Sequence, residues 1–135
     1  MKTAHLLLAL EDDALRQDIT SLLSQSEDSS YSEQDPRDWK AVLQKIGQVR
    51  PEILLVELNA IRTDISHAFR AVKKTAAQTK IIALHPSDDP QIILTALRAG
   101  ANEFVHPPYA QTIAPALERL SEARDDEHSA NGAAK

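Results

Sequence analysis

Apolar positions along this chain follow two alternating rhythms. The continuous runs AHLLLAL (4–10), EILLVEL (52–58) and KIIALHP (80–86) are too short for helices and predict strands buried on both faces. Between them apolar residues recur at helical spacing. Leu15, Ile19, Leu22 and Leu23 make one stripe, Trp39, Val42, Leu43 and Ile46 a second, and Ile65, Phe69 and Val72 a third. Residues 88–100 predict a fourth helix, with acids at its front, Pro90 in its first turn and Gly100 as its C-terminal cap. NEFVHPP (102–108) predicts another short strand, and the polar stretch 26–36 has room for an edge strand around Tyr31. QTIAPALERLSEA (111–123) predicts the last helix, with Pro115 in its first turn or a late start. Residues 124–135 carry no stripe and are expected to be a disordered tail or linker after one domain, 1–123.

Strand and helix alternate five times at about 20–25 residue spacing, which calls for a parallel sheet with helices on both faces. Such sheets bind ligands beyond the carboxyl ends of their strands. The residues placed there are Glu11, Asp12 and Asp13, then Glu57 and Asn59, then His85, then His106.

Composition narrows the partners. The 135 residues carry a net charge of −5 with pI about 5.5, which argues against nucleic acid or an anionic membrane as the main partner. No apolar run approaches the ~20 residues of a membrane span. The opening MKTAHLLLALEDD runs straight into three acids and reads as a strand rather than a leader. Without cysteine there is no disulfide framework and no thiolate chemistry, and a cytoplasmic location is the expectation.

PEILLVEL, KIIALH and above all ALRAGANEFVHPPY resemble the receiver domain of bacterial response regulators, over roughly residues 4–122. The resemblance implies a flavodoxin-like three-layer α/β sandwich with a five-stranded parallel sheet in the order 2-1-3-4-5. In that family a phosphoryl group passes from a histidine kinase to an aspartate ending the middle strand. An acidic pair after the first strand holds magnesium, and a Ser or Thr and a Lys before a proline contact the phosphoryl group. Carried onto this sequence, Glu57 stands at the phosphoacceptor position. The acidic pair falls on Leu10 and Glu11, or on Glu11 and Asp12 in the shifted register. His85 replaces the Ser/Thr and Pro107 the Lys, with Pro108 keeping the proline, His106 just before, and Tyr109 at the switch-side aromatic. GANEFVHPPY is also similar to the atypical receiver-like domains in front of Walker-type ATPases of tight-adherence pilus machinery. No G-x-x-x-x-G-K-[ST] occurs in these residues, which leaves open a longer parent chain with an ATPase or output domain.

Four chemical positions changed together argue against phosphotransfer, which needs a metal and a lysine around a trianionic group. The expectation is a non-enzymatic, phosphorylation-independent signalling or scaffolding module. It would need no cofactor and act on a protein partner or a second copy. Glu57 is then an unused carboxylate or a fixed stand-in for a phosphorylated aspartate. The alternative is a phosphorelay receiver using Glu57, Asp12 or Asp13 with Mg2+ on Glu11 and Asp12. A third reading has His85 and His106, with Glu57 or Glu11, sensing zinc, nickel or a small ligand. The acids 11–13 also suit the positive end of a helix dipole without any further role. His5, His67 and His128 read as surface or edge, Trp39 as core, and Lys73 and Lys74 as a solvated face. Ile92, Ile93 and Leu94 point about 100° apart on their helix, so at least one is expected in solvent. With Leu97, Pro107, Pro108 and Tyr109 they predict a contact face on the fourth helix, fifth strand and fifth helix; Ile93, Leu94, Leu97 and Tyr109 are its proposed anchors.

Overall fold

In the computed structural model, which describes residues 4–25, 29–109 and 111–120, the apolar runs are central strands covered on both faces. The order of elements is β1 (Ala4–Ala9), α1 (Asp13–Ser24), β2 (Ser29–Glu33), α2 (Trp39–Val49), β3 (Ile53–Glu57), α3 (Ile65–Thr75), β4 (Lys80–Leu84), α4 (Pro90–Ala99) and β5 (Glu103–Val105). A last helix, α5, covers 111–120. All strand pairs are parallel, and the sheet runs β2-β1-β3-β4-β5. Register pairs Leu7 with Leu54 and Leu54 with Ile81 across the centre.

Alternate side chains of each strand feed two cores. Leu7, Leu54, Val56 and Ile81 pack under α2, α3 and α4, with Phe69 and Val72. Leu6, Leu8, Leu55 and Ile82 pack under α1 and α5, with Ile19 and Ile113. Each of the first four helices opens on an aspartate cap whose carboxylate accepts from the first turn: Asp12, Asp38, Asp64 and Asp89. Gly100 ends α4 at φ 124°, where a side chain would be strained. Asn102 then pairs Ile81 twice: its N–H donates to the Ile81 carbonyl at 2.8 Å and its Oδ1 accepts the Ile81 N–H at 2.9 Å. That double pairing gives the stretch GAN a local role in starting β5.

Four details differ from the sequence expectations. β5 is only Glu103–Val105, because Pro107 and Pro108 have no N–H to extend a ladder. Pro115 lies inside α5 rather than in its first turn; it is exposed, as is Gln111, whose carbonyl loses its donor, so water can reach the gap. Lys73 is not simply solvated: it is half-buried and its Nζ donates to the Thr79 carbonyl at 3.0 Å, and burial first and Lys80 second lower its pKa. Trp39 is half-buried, with Nε1 donating to the Ala68 carbonyl at 3.2 Å. Tyr31 sits exposed on edge strand β2, which His5 ties to β1 through Ser30 (2.8 Å) and Ser32 (3.0 Å). The expected domain end at 123, the tail 124–135 and His128 lie outside the described residues.

Candidate functional site: a carboxylate latch at the strand ends

β3 delivers Glu57 to the carboxyl edge of the sheet, where β1 has just turned into α1. The turn leaves the Glu11 and Asp12 amides without helical partners. Glu57 Oε1 accepts both, at 2.9 Å from Glu11 N and 3.1 Å from Asp12 N. The half-buried Glu57 has no ion-pair partner among the described residues; it is held by backbone donors and by the positive end of α1.

The neighbouring acids are engaged elsewhere. Asp12 caps α1, its Oδ1 accepting from Ala14 N at 2.9 Å and Leu15 N at 3.4 Å. Glu11 lies between two guanidiniums, with Arg37 and Arg62 each at 3.7 Å. Arg37 is gripped by Asp35 at 2.7 Å, and this hydrogen-bonded pair holds the Asp35 carboxyl down at about 2. Arg16 spans Asp13 at 2.6 Å and Glu33 at 3.6 Å. Glu11, Asp13, Arg16, Glu33, Asp35 and Arg37 line an open cleft of about 260 Å³ between the start of α1 and the end of β2. Asp13 thus pairs with Arg16 on the first turn of α1, and Leu10 is buried in the α1/α5 core. Of the two registers for the acidic pair, neither leaves two unengaged carboxylates.

The two histidines end neighbouring strands and are each tied locally. His85 Nδ1 accepts the Ser87 N–H at 3.0 Å. His106 Nδ1 donates to the Pro107 carbonyl at 2.9 Å, and Pro107 itself is exposed. Among the described residues no three His, Asp or Glu side chains gather in an arrangement that could hold a metal ion. The set drawn from the sequence for zinc or nickel (His85 and His106 with Glu57 or Glu11) is therefore not assembled.

Tyr109, an expected contact residue, also borders the site. It is half-buried against the α1/α5 core, and burial first, then the charges of Glu57 and Asp12, push its hydroxyl up to about 12. Among the other proposed contact residues, Leu94 (46% exposed) and Leu97 (42%) lie one turn apart in solvent. Ile93 is half-buried, and Ile92 packs on the α2–α4 core. The sequence reading missed Arg37 and Arg62, whose loops meet Glu11 only in the fold. It also missed the Glu57 latch, because backbone donors carry no sequence signal.

No family model and no curated protein matches the sequence. Solved structures match in shape. The isolated receiver domain of RcsB from Salmonella enterica superposes with a TM-score of 0.77 at 17% identity, covering 89% of this chain and 89% of that one. A pilus assembly-related protein of Burkholderia pseudomallei gives 0.74 at 18% identity, covering 89% and 90%. A CheY-like protein, tadZ, of Pseudomonas aeruginosa gives 0.70 at 14% identity, covering 87% and 98%. The chain has the fold of a response-regulator receiver domain, the fold that also occurs in that pilus assembly-related protein.

Proposed function

We propose that this receiver fold is a signalling or scaffolding module that works without phosphorylation and catalyses no reaction. The observation that carries this is the pair of hydrogen bonds from Glu11 N and Asp12 N to Glu57 Oε1. A phosphoacceptor carboxylate must present an oxygen to the donor beside a metal and a cation. Glu57 commits Oε1 to the α1 N-terminus, and the metal and cation are what its surroundings do not supply: its neighbours Glu11 and Asp12 are held by arginines and by a cap, and Pro107 stands where the lysine would be. The carboxylate joins β3 to the β1–α1 turn without metal, as a permanent stand-in for an activating group.

Output on this reading is protein contact through α4, β5 and α5, where Leu94 and Leu97 are exposed. The partner is a second copy, a separate protein, or an ATPase or output domain of a longer parent chain. The similarity to pilus-assembly proteins favours an assembly role. No helix among the described residues is long and apolar enough to cross a membrane, and the site of action is proposed to be the cytoplasm. The competing reading is a phosphorelay receiver with Glu57 as acceptor and Mg2+.

Intact-protein mass after incubation with acetyl phosphate and Mg2+, beside a working receiver as control, separates the two. The proposal expects no adduct. A phosphoryl adduct lost in Glu57→Gln would overturn it.

A further inference from the structure

A second cleft of about 260 Å³, open to solvent, lies between the residues that follow β3 and the first turns of α4. Its apolar walls are Leu58, Ile65 and Ile92, each seated on the α2–α4 core, so the floor is fixed by the fold. Its polar lining is Asn59, His85, Gln91 and Thr95; no Asp, Glu, Lys or Arg lines it.

The hydrogen bonds assign what these groups offer. His85 Nδ1 accepts the Ser87 N–H, so it carries no proton, and the ring proton sits on Nε2 as a donor without a partner among the described residues. Thr95 Oγ donates to the Gln91 carbonyl at 2.8 Å, which leaves its lone pairs to accept. The Asn59 and Gln91 amides are exposed at the mouth. No side chain of the lining offers a counter-charge, so an ion gains no partner there, whereas an uncharged ligand can use the donor and acceptors present. The volume falls just under the ~300 Å³ at which drug-sized sites begin.

The geometry points to a binding site for a small uncharged molecule with a flat or short apolar body and a carbonyl oxygen facing His85 Nε2–H. Leu58 and Asn59 directly follow Glu57, and Ile92 and Thr95 lie on the flank of α4 away from Leu94 and Leu97. A bound molecule therefore touches both the segment leaving the latch and the helix of the contact face. That coupling rests on the function proposed above; the binding does not.

The test uses benzamide, with benzoate, benzylamine and toluene as matched probes, read by amide chemical shifts of the whole chain. Benzamide is expected to move Leu58, Asn59, Gln91, Ile92 and Thr95 saturably, and the two charged probes to bind more weakly. His85→Ala should weaken benzamide about 3- to 10-fold, the worth of one hydrogen bond. Thr95→Trp, at an exposed position that tolerates substitution, should abolish binding while the far-UV spectrum is kept. Equal binding of benzoate or benzylamine, shifts located elsewhere, no shifts, or binding unchanged in both variants would each overturn the site. Equal binding of toluene would make it a slot for an apolar side chain instead. A phosphoryl adduct on Glu57 would overturn the latch and leave this site standing.

Discussion

Glu57 Oε1 lies 3.1 Å from the amide nitrogen of Asp12, tying the end of β3 to the start of α1. The same oxygen takes the Glu11 amide at 2.9 Å. Hydrogen bonds to a charged group are worth about 1.5–3 kcal/mol where buried, less at this exposed turn. Glu57→Ala is expected to cost about 1–2 kcal/mol in urea unfolding followed by Trp39 fluorescence. Glu57→Asp should cost nearly as much, because its arm is one methylene short, and Glu57→Gln less, because its amide oxygen still accepts. Full stability in Glu57→Asp would refute the reach argument.

The charge on Glu11 is already balanced by Arg37 and Arg62, each at 3.7 Å. Magnesium should therefore leave the melting temperature unchanged, since a ligand stabilises only by binding the folded state. Differential scanning with excess Mg2+ or EDTA checks this. A magnesium-dependent rise should emerge only in Arg37→Ala/Arg62→Ala; the same rise in the parent protein would show a working metal pair.

Tyr109 reports on the latch. Burial first, then the charges of Glu57 and Asp12, raise its hydroxyl from 10.0 to about 12. A raised folded pKa means the folded chain keeps a proton that the unfolded chain has lost. Its contribution to stability is complete below pH about 10 and is lost as pH rises through about 12. Ultraviolet titration should show this late phenol, absent in Tyr109→Phe. In Glu57→Gln its midpoint should fall toward the ordinary value, and an unmoved midpoint would separate the two residues.

Leu94 and Leu97 carry little of the core, being 46% and 42% exposed. Leu94→Asp and Leu97→Asp should each change stability by less than about 0.5 kcal/mol. Each should abolish a concentration-dependent mass in light scattering, or capture of the partner. Retained association in both would remove α4 from the contact face.

The fold was legible where burial is two-sided. β1, β3 and β4 are runs such as Leu6-Leu7-Leu8 that fit only a covered sheet, and their spacing sets the crossovers. β2 was faint because an edge strand buries little: Tyr31 faces solvent, and its tie to β1 passes through His5 and serines. Pro115 misled because a proline on a helix's wet face costs less than one inside the core. At the site, the position of Glu57 could be read from its strand, but its partners could not. Two are backbone amides 46 and 45 residues away, and the cations on Glu11 come from two other loops. Tyr109, expected at the contact face by family likeness, is half-buried, and the charge of Glu57 acts on its hydroxyl, a relation that no sequence pattern signals.

The most direct measurement is the amide spectrum of the unphosphorylated, metal-free protein with and without Glu57→Ala. The account predicts that the Glu11 and Asp12 amide protons lie downfield in the parent and move upfield together in the variant, while Ile81 and Asn102, paired across β4 and β5, stay in place. Unmoved Glu11 and Asp12 resonances would mean that Glu57 does not hold the β1–α1 turn, and the case against phosphorylation would lose its main support.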